Sequence, residues 1–327
     1  MFSFKRVFED VSDDFTAFCI SITNSIYYVA MQKVVSMVDY QTKQIIDSVD
    51  LKSPILDLKV TQCGGFLLAG CGDRTGRVVD LKTKTMITLK GHAHYVNCII
   101  ECEDTDILTC SWDKTIRRWN RLTGECIRTY TGHGDFVKGI VYDKKTKRIF
   151  SGSNDYTIIV WNADTGEQIG VIKGHSHNVT CLAFVNATTI VSGSYDKTVI
   201  LWDILTMKEV KTMSSRTCIF FCVAVTPDRQ YVISGSFDNT VEVWSIATGK
   251  CVATIPDIDH SVGKVEVSAD GKYVFIGFKF GNGYRIYEVE PAFNFIVHEF
   301  NTQIGDEQCL LKLLSDCSIV DERGEKI

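Results

Sequence analysis

Apolar residues in this chain fall in short runs rich in Val, Ile, Leu, Phe and Tyr, and each run stops at turn-forming residues. Between residues 95 and 130 the runs YVNCII, DILTC, TIRRW and ECIRTY follow one another, separated by brief, mostly polar connectors. β-branched and aromatic runs of this length, bounded by such turns, predict strands. The i, i+3, i+4 spacing of an amphipathic helix is never sustained, so the pattern predicts an all-β chain built from four-strand units.

The units repeat. Trp119, Trp161, Trp202 and Trp244 are spaced 42, 41 and 42 residues apart, and they are four of the five tryptophans in the chain. Six residues before each stands an aspartate, in the segments SWDKTIRRW, SNDYTIIVW, SYDKTVILW and SFDNTVEVW. Three of these tryptophans also follow a Gly-His pair, ending at His92, His133 and His175, by 27 or 28 residues. A period of this length is the mark of a repeat architecture.

With paired Gly-His and Trp-Asp-like marks over residues 91–244, the chain resembles the WD40 family of β-propellers. The resemblance implies blades of four antiparallel strands. Weaker copies extend the grid outward through Val38, Val79 and Tyr287, and one further period sets Asp321 six residues before Ile327. Eight blades are therefore favoured, with seven as the alternative. On the eight-blade reading, residues 3–8 form an orphan outer strand and residues 308–327 supply three inner strands. Pairing of the N- and C-terminal strands would then close the ring and remove exposed sheet edges. All of residues 1–327 would form one propeller domain.

Composition narrows the function classes. The chain has 327 residues with 35 Lys and Arg against 40 Asp and Glu, a net charge of -5, and it lacks a polybasic tail. No global field favours nucleic acid or an anionic membrane. The start, MFSFKRVFED, is charged within five residues and has no apolar signal core, and no stretch matches a spanning helix. Thirteen cysteines, an odd number without a CxxC pair, lie mostly inside strand-like runs. That usage suits reduced core thiols in the cytoplasm, with the nucleus as the alternative. The sequons at Asn178–Thr180 and Asn186–Thr188 are expected to be unmodified in such a compartment.

Three sets of residues look catalytic: His92, Thr109 and Asp113; His133, Ser151 and Asp155; His175, Ser192 and Asp196. A catalytic triad is needed once, whereas this set occurs in three successive repeats and always leads to a tryptophan. The WD40 resemblance implies instead a buried network from Asp through His and Ser or Thr to the indoles of Trp119, Trp161 and Trp202. The fourth repeat keeps Ser234, Asp238 and Trp244 but has MSSRTC in place of Gly-His. HAH at 92–94 and HSH at 175–177 lack further ligands nearby, so no metal is expected. The pairs Gly70/Gly72 and Gly281/Gly283 lack the strand-loop-helix setting of a phosphate cradle. Neither an enzyme activity nor a cofactor is expected.

In an antiparallel four-strand meander, labelled a to d, the b-to-c turn and the d-to-a connector share one end. The aspartates lie in the first and the Gly-His pairs in the second. Residues just before the aspartates are Gly72, Trp112, Asn154, Tyr195 and Phe237. Strand-entry positions add Tyr95, Asn97, Phe136, Lys138, Asn178 and Thr180, and the positions after the aspartate add Arg74, Lys114 and Lys197. Large aromatics at turns are unusual and resemble the anchors of protein interfaces.

These residues predict a top rim that binds a protein or peptide, and hence a non-enzymatic scaffold or adaptor without a small-molecule substrate. Two further readings stand beside it. TGECIRTYTGH is similar to repeats in substrate receptors of ubiquitin ligases, where the lysines could read a phosphopeptide, although no F-box-like helical segment precedes the repeats. The third reading is a structural subunit of a larger assembly. Arg118 stands where the other strong repeats hold Val160, Leu201 and Val243, and an inter-blade ion pair is the expected reason.

Overall fold

The computed structural model describes residues 2–10, 15–20, 26–215, 219–256, 258–279 and 283–290. They form 28 strands arranged as seven four-stranded antiparallel sheets. Blades 1 to 6 span residues 15–50, 55–90, 96–131, 137–172, 179–214 and 220–254, with strands a to d in chain order. Blade 7 takes strands a, b and c from residues 262–290 and its strand d from the N-terminus, Ser3–Asp10.

Burial explains the difference between runs within a blade. Strand b of blade 3, Asp106–Ser111, is buried at every residue, whereas strand d, Cys126–Thr131, is exposed at most of its positions. A strand sandwiched between two neighbouring blades must be apolar on both faces, and an outer strand need not be. The apolar core is divided accordingly: seven clusters each join two adjacent blades, such as Phe150 and Ile158 with Val179 and Trp202. Tyr27 and Val38 of blade 1 pack in one of them with Phe275 and Tyr284 of blade 7. Close approach requires glycine at the end of strand b. A Cβ on Gly70 would lie 2.6 Å from the Val96 carbonyl oxygen, and one on Gly152 would lie 2.7 Å from Val179 Cγ1.

Eight blades are corrected to seven. The strand at Ser3–Asp10 is an outer strand, but it pairs with Tyr284–Glu290 rather than with a blade built from residues 308–327. Counting tryptophan-like positions to the end of the chain adds a blade because the N-terminal strand completes one that has already been counted. Val38, Val79 and Tyr287 occupy the strand-c register of the tryptophans: Val38 faces Tyr27 and Ile45 as Trp119 faces Ile107 and Cys126. The weak copy at Asp321 and Ile327 lies outside the described residues. The described strands belong to a compact unit, Met1–Phe293.

Candidate interaction face

In blades 2 to 7 the b-to-c turn is pinned to the connector that precedes its own blade. The N–H of the residue after strand b donates to a connector carbonyl: Gly72 to Pro54 at 2.8 Å, Trp112 to Tyr95 at 3.1 Å and Asn154 to Phe136 at 2.9 Å. Tyr195 to Asn178, Phe237 to Ile219 and Lys279 to Ser261 repeat the bond at 3.0, 3.0 and 2.9 Å. Two positions on, Arg74, Lys114, Tyr156, Lys197 and Asn239 adopt left-handed backbone, with φ between 66° and 72°. Their side chains are therefore set by the turn. Strand a enters blades 3 to 7 through a bulge at Asn97, Lys138, Thr180, Phe221 and Gly263. A bulge re-aims the side chain it carries.

Behind this face the His, Asp and hydroxyl residues are consumed by one another. His92 Nδ1 lies 2.7 Å from Asp113 Oδ2, its Nε2 lies 2.7 Å from Thr109 Oγ1, and Trp119 Nε1 donates to the same hydroxyl at 2.8 Å. His133, Asp155, Ser151 and Trp161 repeat the geometry at 2.7, 2.7 and 2.8 Å. His175, Asp196, Ser192 and Trp202 do so at 2.7 Å throughout. Every proton finds an acceptor when the indole donates to the hydroxyl, the hydroxyl to Nε2 and Nδ1 to the carboxylate. Asp155 also accepts from Gly134 N and from the N–H and hydroxyl of Thr157. Burial alone would raise the Asp113, Asp155 and Asp196 carboxyls, yet bonds from His, Thr and backbone N–H hold all three well below the usual range. Thr109, Ser151 and Ser192 are fully buried, so their hydroxyls do not meet a substrate.

The network is replaced elsewhere. In blade 6 Trp244 Nε1 donates to Ser234 Oγ at 2.8 Å, and exposed Asp238 accepts from Ser236 and Thr240 of its own turn. Blades 2 and 7 use arginine on strand c instead. Buried Arg77 pairs with Asp73 at 2.6 Å, and buried Arg285 pairs with Glu9 at 2.6 Å and with Asp259 at 2.8 Å. Arg118 has a structural role of the same kind: its Nε meets Asp106 at 2.7 Å and its Nη1 meets Asp164 of blade 4 at 3.0 Å.

Outside these networks the rim aromatics gather into two groups. In the first, Trp112 is stacked on Phe136 with ring centroids 5.0 Å apart and planes 6° from parallel, and Tyr95 lies 5.1 Å from Trp112. Lys138 Nζ sits 4.3 Å from the Trp112 ring centre. Asn97 is occupied on both sides, donating to Lys138 O at 2.6 Å and accepting from Trp112 Nε1 at 3.3 Å. The second group runs Tyr156, His177, Tyr195, Phe221, Phe237, with successive centroids 5.4 to 6.0 Å apart. Phe237 is 49% exposed and Tyr95 is 40% exposed, so these rings remain available although they touch. Thr180 is spent on the Phe220 and Gly193 carbonyls, and Lys114 on Gly134 O.

Sequence reasoning missed five members: Tyr156 and His177 of the second group, and His94, Phe221 and Lys279. His94 stacks on Trp112 at 5.4 Å, whereas its HAH setting points only to metal ligation. Phe221 occupies the bulge equivalent to Lys138, and Lys279 the turn position equivalent to Trp112. Carrying the strand-entry and turn offsets into blades 6 and 7 would have found both. Among the described residues no group of three or more His, Cys, Asp or Glu is arranged to hold a metal ion.

Family comparison agrees with this architecture. The WD domain, G-beta repeat model matches residues 83–120, 124–162, 166–203 and 207–245. Residues 83–245 of the chain thus carry four WD40 repeats. Each matched repeat starts at strand d of one blade and ends at strand c of the next, so every WD40 repeat stitches two neighbouring blades together. Similar proteins include an uncharacterized WD repeat-containing protein of Schizosaccharomyces pombe, 42% identical over 86 residues, 24% of this chain and 23% of that protein. A nuclear distribution protein of Komagataella phaffii is 26% identical over 112 residues, 32% of this chain and 22% of that protein. An F-box protein of Saccharomyces cerevisiae is 34% identical over 62 residues, 19% of this chain and 10% of that protein. The alignments thus cover under a quarter of each of these relatives.

Proposed function

We propose that this WD40 protein is a non-enzymatic interaction scaffold or adaptor, binding a protein or peptide on the face that carries the two aromatic groups. One observation carries this reading: Trp112, Tyr95, Phe136, Tyr195 and Phe237 lie outside the Asp-His networks, on turns and connectors where polar residues are the rule. Aromatic anchors of this kind dominate interface energetics. The reading needs neither metal nor cofactor. No helix among the described residues is long and apolar enough to cross a membrane. Nine described cysteines are unpaired, which supports a cytoplasmic or nuclear setting.

Affinity purification with quantitative mass spectrometry tests the proposal, comparing wild type with Trp112→Ala/Phe237→Ala and with Val210→Ser on an exposed outer strand. Loss of two anchors worth about 2 kcal/mol each predicts a fall of roughly a thousandfold in affinity, so specific partners should disappear from the double variant alone. Retention of every partner at wild-type level would sink the proposal.

The similarity to an F-box protein supports a second reading, a substrate-recognition subunit of a ubiquitin-ligase-type complex. On that reading, ligase components stay with the double variant while substrates are lost.

A further inference from the structure

Two positions before the tryptophan register, strand c carries a charged residue in four blades: Arg77, Arg117, Glu242 and Arg285. Three are arginines. Arg77 and Arg285 are answered by carboxylates of this chain, Asp73 for the first and Glu9 and Asp259 for the second. Arg117 instead fills the groove between strand d of blade 2 and strands c and d of blade 3. Its guanidinium carbon lies 5.9 Å from the Trp119 ring centre, and its Nη1 lies 3.9 Å from Cys126 Sγ. A Cβ on Gly91 would come within 2.7 Å of the same Nη1.

Blade 6 has that groove with the opposite charge. Thr212 and Ser214 of blade 5 and Glu242, Trp244 and Cys251 of blade 6 line a space of about 500 Å³. Cys251 faces Trp244 across strands c and d as Cys126 faces Trp119, and Glu242 faces Ser234 across strands b and c as Arg117 faces Thr109. Glu242 therefore stands where Arg117 stands. Its Oε2 is enclosed without a hydrogen-bond donor, and Lys250, exposed on the same wall, does not supply one. Burial pushes the Glu242 carboxyl above its ordinary value. An enclosed acceptor without a donor costs free energy that an incoming donor recovers.

We propose that the groove between blades 5 and 6 takes an arginine side chain of a partner protein, its guanidinium bonded to the Glu242 carboxylate and lying against Trp244 and Cys251 as Arg117 lies against Trp119 and Cys126. A guanidinium is the group that this chain itself places in the blade 3 groove. Its planar fork matches both oxygens of a carboxylate, whereas an ammonium is a point charge without a plane. The terminal torsion of a glutamate is soft, so the carboxylate can turn Oε2 toward the groove. No residue of the two aromatic groups takes part, and the groove stands or falls independently of that face.

The indole N–H signals of the five tryptophans, followed by NMR with the Trp244 signal assigned through Trp244→Phe, test this. Titration with N-acetyl-arginine methylamide should move the Trp244 signal saturably. It should leave in place the Trp119 signal, whose groove Arg117 already fills. N-acetyl-citrulline methylamide, of the same shape without the charge, should bind at least about tenfold more weakly. Glu242→Gln should weaken binding of the arginine derivative by a similar factor, with its other indole signals unmoved as the check on its fold. Glu242→Arg, which copies blade 3, should abolish the response. A Trp244 signal that does not respond, or that responds equally in Glu242→Gln, overturns the inference. Equal affinity for N-acetyl-lysine methylamide overturns the commitment to a guanidinium.

Discussion

Blades 4 and 6 share the same strands and the same tryptophan register, yet their polar interiors are held differently. In blade 4 a single carboxylate, Asp155, joins the connector at His133 and Gly134 to the turn at Thr157, and His133 passes the linkage to Ser151 and Trp161. In blade 6 the corresponding Asp238 accepts from Ser236 and Thr240 of its own turn, Trp244 donates to Ser234, and MSSRTC stands where Gly-His would be. The tryptophan and its hydroxyl partner suffice to set strand c against its neighbour. The histidine adds something separate: it fastens the d-to-a connector to the b-to-c turn, the two segments that carry the candidate interface. Blade 4 thus supports that interface through its histidine, and blade 6 has no Gly-His pair to do the same.

The comparison breaks most visibly at Asp155. Its replacement by Ala leaves His133 Nδ1, Gly134 N and the Thr157 N–H without their acceptor in a partly buried site, which should cost about 2–4 kcal/mol in denaturant unfolding. Asp155→Asn sharpens the test through pH. The native carboxyl is held below its ordinary 3.8, so the charged form contributes stability above that value and loses it as pH falls. The stability gap between wild type and Asp155→Asn should be full at neutral pH and close below about pH 3.8. A gap that stays constant through acid would show that the charge of Asp155 contributes nothing.

Blade 7 tests whether an arginine can substitute for the histidine. Arg285 is buried and ties the N-terminal strand through Glu9 and the connector through Asp259. Both carboxylates are partly exposed, so screening reduces what the pairs are worth. Arg285→Met should cost about 1–2 kcal/mol and should raise amide hydrogen exchange in residues 3–10 before exchange in strand b of the same blade. Uniform exchange across the blade would mean that Arg285 does not fasten this strand.

The repeat was legible because its marks are chemically costly residues at fixed spacing: a buried indole needs an acceptor, and the acceptor fixes its neighbours. Where Val38, Val79 and Tyr287 replace the indole, the period alone located strand c, since bulk apolar character is enough to fill that register. The blade count failed because an outer strand such as Ser3–Asp10 is written like any other outer strand, and its partner 274 or more residues away leaves no local trace. At the interface, Trp112, Tyr195 and Phe237 were legible as residues flanking a constrained aspartate. Lys279 and Phe221 were not, because their connectors lack Gly-His and so fell outside the pattern used to align positions. His94 was obscured by its own chemistry, a ring that reads as a metal ligand until Trp112 is seen stacked on it.

The smallest effect is expected where the comparison began, at blade 6. Asp238 is exposed, and the bonds from Ser236 and Thr240 can be exchanged for water at little cost. Asp238→Ala should therefore lower stability by about 0.5 kcal/mol or less, several times below the cost at Asp155, even though both residues stand six positions before a tryptophan. Phe237 and Phe221 lie on the turn and strand entry beside Asp238. The same variant should accordingly leave peptide binding within about twofold of wild type, because the Phe237 N–H still bonds the Ile219 carbonyl at 3.0 Å. A loss at Asp238 equal to that at Asp155 would mean that the aspartate acts through its own turn, and the fastening role assigned to the histidines would fall with it.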